Sequence, residues 1–437
     1  MSSTMVIAAS ASPDGVTHFG KNSNREPGEC QLVLALPAVE YDANTLLKCT
    51  HLSITQVPQR YAIVLSKPWW CWGGEMGAND QGVVIGSEAV STRNHEPEPG
   101  LIGMDLVRLG LERGRNAEEA MKVITSLLQT HGQGGACQLG DSSFSDDNSF
   151  IIADANEAWI LETAGRHWAA KRVLGTAVLS SELTLATDFD RSSYALPQYA
   201  RLKGWVRKEE GLNFAEAFGR TPHRHPFGKS HPRRTALLES LPRLDRDHPH
   251  LGMMQLLRQR KKSHPRRWSK EDVALHARGT SRWLQTTGSM VAMVSKRRQD
   301  FFFTGTSAPD LSIFKPVHFD LPLEDDLKEE DLSRYHDHSL WWRHEKLHRT
   351  ILLTPHLDDD FIKERDDLER EMVQDLAAGK GRQLLQTRRK IRNSLLKWEE
   401  TWIEKAALKR SFFLSMGLFS RYWLQRNRLD GVTLNLT

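Results

Sequence analysis

The 437-residue sequence contains only four cysteines and no apolar run approaching the roughly 18 residues that a membrane-spanning helix needs. Cys30, Cys49, Cys71 and Cys137 are scattered without metal-ligand spacing, so we expect neither a disulfide framework nor a cysteine-based metal site. The first twelve residues, MSSTMVIAASAS, lack a basic region and a sustained apolar stretch, which argues against a signal peptide. We therefore expect a cytoplasmic protein without a transmembrane segment, metal or cofactor.

Net positive charge is concentrated in one segment of the chain, and the remainder is slightly acidic. The whole sequence carries a net charge of +4, yet residues 219–268 contain 13 Lys and Arg against 3 acidic residues. The same segment is rich in His and Pro, and we expect a basic surface loop inserted in the first domain. His223, His225 and His231 lack Cys or acidic ligands at fixed spacing, which favours a solvated loop over a metal site.

Alternating apolar residues and turn residues predict many short strands and two early helices. An N-terminal hairpin is expected from strands over 4–9 and 16–20 around the turn Ser12-Pro13-Asp14-Gly15. Helical spacing predicts helices over 104–113 and 117–131. Blocks of strands alternate with blocks of helices, which indicates an α+β layered fold. Further strands are expected over 30–36, 51–57, 61–66, 83–85, 149–154, 158–162, 168–172, 176–180, 289–294 and 300–305.

The C-terminal quarter has a different character. We expect a domain over residues 1–319, an acidic linker over 320–345 and a helical extension over 346–437. Helices are predicted over 361–377 and 381–413, where Trp398 and Trp402 lie four residues apart. Apolar residues near the end (Phe412, Phe413, Leu414 and Leu418) would need cover.

Nine sequence blocks occur in the order found in a known family. The chain resembles the secernins and their dipeptidase relatives across roughly residues 2–345, and the blocks together are specific. They are FGKNSNR at 19–25, KCT at 48–50, QVP at 56–58, SKPWWCWGGEMGAN at 66–79, GMDLVRLGLER at 103–113, HGQGG at 131–135, EAWILETAG at 157–165, and FTGT at 303–306 with SIFKP at 312–316.

The resemblance implies a four-layer αββα sandwich, the fold of N-terminal-nucleophile hydrolases, and an ancestral hydrolysis of amide bonds, typically in dipeptides. In that fold the side chain of the first mature residue attacks the carbonyl, and its own α-amino group accepts the proton. An α-amine suits this role because its pKa is about 8. Secernins and the dipeptidases have a cysteine as this nucleophile.

The chain departs from the family at the positions that carry this chemistry. Counting back from Phe19 without a gap, the nucleophilic cysteine corresponds to Ser2. Two asparagines that support the oxyanion and substrate correspond to Ser87 and Ser181. The aspartate of the first block is Asn24 here, whereas the family's Lys21, Arg25 and Asn79 are retained.

Two interpretations of these site residues stay open. Ser2 is a weaker nucleophile than a thiolate, and losing one oxyanion donor costs about 2.7–4 kcal/mol of barrier. This favours a catalytically silent or weakened protein that acts as a scaffold or interaction protein. The alternative is an active dipeptidase that uses Ser2 after removal of Met1. Lys21 and Arg25 either hold a substrate carboxylate or form structural salt bridges, and Cys71 is interpreted as a packing residue.

The partner of the basic segment is predicted from its charge. An acidic protein surface or another anionic partner fits the segment, while nucleic acid is disfavoured because only Phe227 and Trp268 are available for base stacking. A protein partner is also expected at the C-terminal helices, and a small peptide if the chain is active.

Overall fold

A computed structural model describes residues 2–94, 99–141, 144–207, 211–220, 231–262, 264–279, 283–319, 331–354, 359–378, 382–408 and 417–434. In these ranges it contains 18 strands and 10 α-helices. The strands are β1 (Ser3–Ile7), β2 (Thr17–Arg25), β3 (Gln31–Leu36), β4 (Val39–Glu40), β5 (Leu46–Lys48), β6 (Ser53–Thr55), β7 (Gln59–Arg60), β8 (Ile63–Pro68), β9 (Met76–Asn79), β10 (Val84–Val90), β11 (Asp147–Ala153), β12 (Ala158–Ala164), β13 (His167–Arg172), β14 (Thr176–Leu179), β15 (Arg191–Ser192), β16 (Gln285–Val294), β17 (Gln299–Phe303) and β18 (Lys315–Val317). The helices are α1 (Gly103–Arg113), α2 (Ala117–His131), α3 (Leu196–Leu202), α4 (Phe214–Phe218), α5 (His231–Ser240), α6 (Pro249–Arg258), α7 (Leu340–Leu352), α8 (Asp359–Ala378), α9 (Arg382–Leu408) and α10 (Leu418–Asp430).

Two large sheets form the centre of the fold. One has six strands in the order β14-β1-β2-β16-β17-β18, and the other has eight in the order β15-β13-β12-β11-β10-β9-β8-β3. Their strand pairs are antiparallel, which confirms the α+β expectation. The expected N-terminal hairpin is present, because β1 pairs with β2 in a register that places Ser3 opposite Asn22.

Alternate side chains of the central strands belong to different apolar clusters. In β1, Val6 packs with residues of the eight-stranded sheet such as Val64, whereas Met5 packs with Met253 of α6. A period of two along a strand produces this division, since successive side chains point to opposite faces. On the eight-stranded sheet, Ile85 packs with Leu109 of α1 in a third cluster.

Helices α1 and α2 are close to the sequence prediction, and α2 has clear end signals. The Asn116 side chain accepts a hydrogen bond from the Glu119 N–H at 2.9 Å, which caps the N-terminus. Gly132 ends the helix with a φ of 76°, a conformation that favours glycine. No helix in the described ranges is long and apolar enough to cross a membrane.

The basic segment is not the surface loop that we expected. Residues 221–230, with His223 and His225, lie outside the described residues, but α5 and α6 pack against the six-stranded sheet through buried residues such as Leu257. Arg233 and Arg258 are buried as well. The matching acid for Arg258 comes from outside the segment, since its guanidinium donates to Glu369 of α8 at 2.6 and 2.7 Å. Counting charge within the segment alone missed this partner.

The C-terminal helices are packed into the rest of the fold. The expected boundary at 345/346 lies inside α7, whose Trp341 donates from Nε1 to the carbonyl of Thr287 at 2.8 Å. Farther along, Phe361 of α8 contacts Trp398 and Trp402 of α9, with ring centroids 4.9 and 5.2 Å apart. The predicted linker lies partly outside the described residues, at 320–330. Phe412, Phe413 and Leu414 also lie outside them, and Leu418 is 85% exposed.

Candidate active site around Ser2

Ser2 lies directly before β1 and is held by its neighbours at two atoms. Its hydroxyl oxygen accepts a hydrogen bond from the Asn24 backbone N–H at 2.9 Å. Its carbonyl oxygen accepts from the Ser180 hydroxyl at 3.2 Å. Asn24 lies in β2 and Ser180 directly follows β14, so these contacts come from both sides of β1. The side chain is 5% exposed and faces a small cavity.

This cavity has a volume of about 50 Å³ and brings together three of the predicted residues, Ser2, Arg25 and Ser87. Four carboxylates and one guanidinium group line the cavity, so its described lining residues carry a formal charge of −3. Ligand sites for drug-sized molecules measure about 300–1,000 Å³, so this cavity is small. The acidic lining residues are Glu26, Glu29, Glu75 and Asp146.

Arg25 is committed to ion pairs within the protein. Its guanidinium donates to Glu29 at 2.7 and 3.0 Å, to Glu75 at 3.2 Å and to the Cys137 carbonyl at 2.7 Å. Burial alone would lower the pKa of Arg25, but the carboxylates of Glu29 and Glu75 outweigh it and raise the pKa. The geometry therefore supports the structural salt bridge over the capture of a substrate carboxylate.

Lys21 is fully buried and does not line the cavity. Its ammonium donates to the Ser87 carbonyl at 2.6 Å and to Glu88 at 3.4 Å. Burial raises the pKa of Glu88, while Lys21 and the Thr4 hydroxyl oppose this shift. Lys21 thus fixes the strand that carries Ser87 and has a structural role.

The two serines at the asparagine positions differ in their placement. Ser87 lines the cavity, and its hydroxyl lies 3.5 Å from the Glu75 carbonyl. Ser181 does not line the cavity, although it directly follows Ser180, which contacts Ser2. Ser181 has a φ of 49°, a left-handed conformation in which asparagine is enriched. Its buried hydroxyl has no hydrogen-bond partner among the described residues.

Asn79 does not line the cavity, contrary to the expectation for a site residue. Its amide donates to the carbonyls of Leu111 and Gly114 at 2.8 and 2.7 Å. Its side-chain oxygen accepts from the N–H groups of Gln81 and Val83. Asn79 therefore ties the β9–β10 turn to the end of α1 and has a structural role.

The thiols near the site are poor nucleophiles. Cys137 lines the cavity, a placement that sequence reasoning missed, and burial raises its pKa to about 12. Burial also raises the pKa of Cys71, which is enclosed by Ile102 and Met104 as expected for a packing residue. Both thiols stay protonated at neutral pH, whereas the thiolate is the reactive form.

The acidic lining was also missed from the sequence. Glu75 lies within the tryptophan block, and Glu29 lies four residues after Arg25, but neither position alone indicates a shared cavity. The carboxylate of Glu29 accepts from Trp70 Nε1 at 2.7 Å as well as from Arg25. These acids become neighbours only in the folded protein, where the end of β2 lies close to the starts of β9 and β11.

Comparison with known proteins places this sequence in a family. The model of peptidase family C69 matches residues 4–225, half of the chain. A dipeptidase of Bifidobacterium longum (strain NCC 2705) is 27% identical over 213 residues, covering 42% of this chain and 37% of that protein. The probable dipeptidase B of Lactococcus lactis subsp. lactis (strain IL1403) is 28% identical over 184 residues, covering 39% and 36%. The chain thus spans little more than a third of each relative.

Among solved structures, penicillin V acylase from Agrobacterium tumefaciens matches with a TM-score of 0.41 at 11% identity, covering 72% of this chain and 86% of that one. A single-residue variant of the conjugated bile acid hydrolase from Clostridium perfringens matches with a TM-score of 0.40 at 12% identity, covering 76% and 94%.

Proposed function

This chain belongs to peptidase family C69, and we propose that it is a secernin-like member whose hydrolytic activity is silent or severely weakened and which acts as a scaffold or interaction protein. The observation that carries the proposal is the Ser2 cavity, where a serine hydroxyl faces an acidic lining. The alternative is a working dipeptidase with Ser2 as nucleophile, favoured by the position of Ser2 at the cavity wall.

As part of this proposal, the layers are those of an αββα sandwich. One apolar cluster lies between the two sheets, one joins the eight-stranded sheet to α1 and α2, and one joins the six-stranded sheet to α5 and α6. We further propose a cytoplasmic location, supported by four free cysteines.

Protonation of the α-amine is one reason for weak activity. After removal of Met1, the α-amino group of Ser2 would have to accept the hydroxyl proton. Four carboxylates line the cavity that Ser2 faces, and nearby negative charge favours the protonated form of an amine. An ammonium group cannot accept that proton.

Weak oxyanion support is the second reason. A hydroxyl nucleophile depends on donors that stabilise the tetrahedral oxyanion, and each missing donor lowers the rate about 100- to 1000-fold. Serine is shorter than asparagine, so Ser87 places its hydroxyl nearer the backbone, at 3.5 Å from the Glu75 carbonyl. Ser181 does not line the cavity at all.

Hydrolysis of a dipeptide panel tests the proposed function. We expect the protein to release amino acids no faster than its Ser2→Ala variant, because base and oxyanion support are both deficient. Intact-mass analysis of the same preparation establishes whether Met1 is removed and whether Ser2 is acetylated, so that a free N-terminus is known. Steady turnover that Ser2→Ala abolishes would overturn the proposal in favour of the alternative.

We propose that the exposed part of the basic segment binds an anionic surface. Arg243, Arg246, Lys262 and Arg267 are exposed. Binding of the protein to a polyanionic matrix such as heparin should weaken steeply with salt, because screening shortens from about 8 Å at physiological ionic strength to about 3 Å at 1 M.

The variant Arg243→Glu/Arg246→Glu should elute at lower salt, while Arg201→Glu, at an exposed site on α3, serves as the control. Binding that persists in molar salt, or an equal shift in both variants, would contradict the proposed surface. The C-terminal helices remain the proposed site for a protein partner.

A further inference from the structure

A chain of four buried titratable side chains joins the sheets to α7, and none of the four lines the Ser2 cavity. His276 precedes β16 and hydrogen bonds through Nε2 to Asp310 at 2.9 Å. Its other nitrogen, Nδ1, lies 2.8 Å from Nε2 of His348 on α7. His348 Nδ1 in turn contacts Glu345 at 3.1 Å. The two rings are 2% and 0% exposed.

The number of protons in this chain follows from its geometry. Asp310 and Glu345 accept, so the two outer ring nitrogens must both carry hydrogen. A neutral imidazole has a single N–H, which would leave two bare nitrogens facing each other at 2.8 Å. That distance is a hydrogen-bond distance, so the inner nitrogens need a third proton.

The third proton does not reside on the carboxyl groups. Burial alone would raise the pKa of Asp310, but His276 and Arg260 outweigh it and lower the pKa. For Glu345, His348 and Arg349 likewise outweigh burial and lower the pKa. Both carboxyl groups therefore favour the ionised form, which leaves the third proton to the ring nitrogens.

We propose that His276 and His348 share one extra proton and so form a single buried imidazolium. We call this contact between the sheets and α7 the joint, and a further proton, the fourth on the two rings, breaks it. With both rings fully protonated, two N–H groups would face each other across the contact. The joint is thus stable with three ring protons and is broken by a fourth.

Carboxylate and guanidinium groups surround the two rings. The carboxylates that contact the rings, Asp310 and Glu345, each also pair with a guanidinium group, that of Arg260 or of Arg349. Burial, together with Arg260 and His348, lowers the pKa of His276 to about 3 against the opposing effect of Asp310. The charged groups around the rings are Asp310 and Arg260, Glu345 and Arg349 of α7, Asp430 and the partly exposed Arg426 of α10, and Arg365 of α8, which donates to the Asp310 carbonyl.

The sign of the pH effect follows from this lowered pKa. Below pH 6.5 the unfolded chain binds a proton at His276 that the folded chain does not bind. The stability that this difference contributes is therefore present above pH 6.5 and is lost as the pH falls toward 3. One proton of difference changes the folding equilibrium about tenfold per pH unit.

The variant His276→Gln tests the joint, because its amide can donate to Asp310 and accept from His348 but takes no second proton. Hydrogen exchange of α7 and α10 amides is compared between pH 7 and pH 4.5. Protection factors, which divide out the intrinsic slowing of amide exchange in acid, should fall at pH 4.5 in the unmodified protein and much less in the variant. The exposed His338→Gln serves as the control and should respond like the unmodified protein. An equal acid response in His276→Gln would overturn the proposal.

Imidazole 15N spectra of the unmodified protein test the proton count without any variant. At pH 7 we expect three protonated nitrogens and one bare nitrogen over the two rings. Two protonated and two bare nitrogens would overturn the proposal, whether or not His276→Gln folds.

Discussion

Replacing Arg349 with methionine is expected to lower the free energy of unfolding by about 3–5 kcal/mol, the range for breaking a buried ion pair by removing one partner. Arg349 is fully buried on α7 and donates to Glu345 at 2.8 Å, to Asp430 at 2.7 Å and to Asn427 at 3.2 Å. Its removal leaves two carboxylates in the interior without their shared cation. Urea denaturation measures the change.

The matched control is Arg370→Met on α8. Arg370 pairs with Asp367 at 2.7 Å, but both side chains are about half exposed. Exposed pairs contribute only about 0–1 kcal/mol. A loss at Arg349 as small as that at Arg370 would contradict our view that the C-terminal helices are integral to the fold.

The strands and early helices were predictable because their signals are local. The sequence signals both ends of α2, because Asn116 is a typical N-terminal cap and Gly132 is a typical residue at a helix C-terminus. The hairpin of β1 and β2 was equally clear from its turn residues. A periodic pattern of apolar residues can be recognised from neighbouring residues alone, and these strands and helices show such a pattern.

The packing of the C-terminal region was not predictable from such signals. The partners of Arg258 and Arg349 lie 111 and 81 residues away in the chain, at Glu369 and Asp430. A charge count limited to residues 219–268 does not include the acidic partner of Arg258. This is why we expected the basic segment to lie at the surface.

The candidate site was predictable in part. Of the six residues that the resemblance grouped, Ser2, Arg25 and Ser87 line one cavity, whereas Lys21, Asn79 and Ser181 do not. The resemblance gave no indication of the acidic lining. Chemistry at a site depends on the sum of charges that several strands bring together.

The central claim is the proposal that the serines at positions 2, 87 and 181 are the larger cause of weak hydrolysis and that the cavity itself is retained. If so, Ser2→Cys alone should restore little dipeptide hydrolysis, because the oxyanion would still lack its donors. Ser87→Asn and Ser181→Asn together should also restore little without the thiol. Residues that act as one catalytic unit are strongly non-additive, so the triple variant should exceed the combined effects of its parts.

The most direct test is therefore kcat/KM for one dipeptide in Ser2→Cys, in Ser87→Asn/Ser181→Asn and in the triple variant, each with a mass-verified free N-terminus. A second triple variant carries Ser53→Asn in place of Ser87→Asn. Because Ser53 is an exposed serine on β6, this variant controls for the added asparagine. We predict a rate in the triple variant about 100- to 1000-fold above Ser2→Cys, the value of a restored oxyanion donor. A triple variant as inert as Ser2→Ala would contradict the claim.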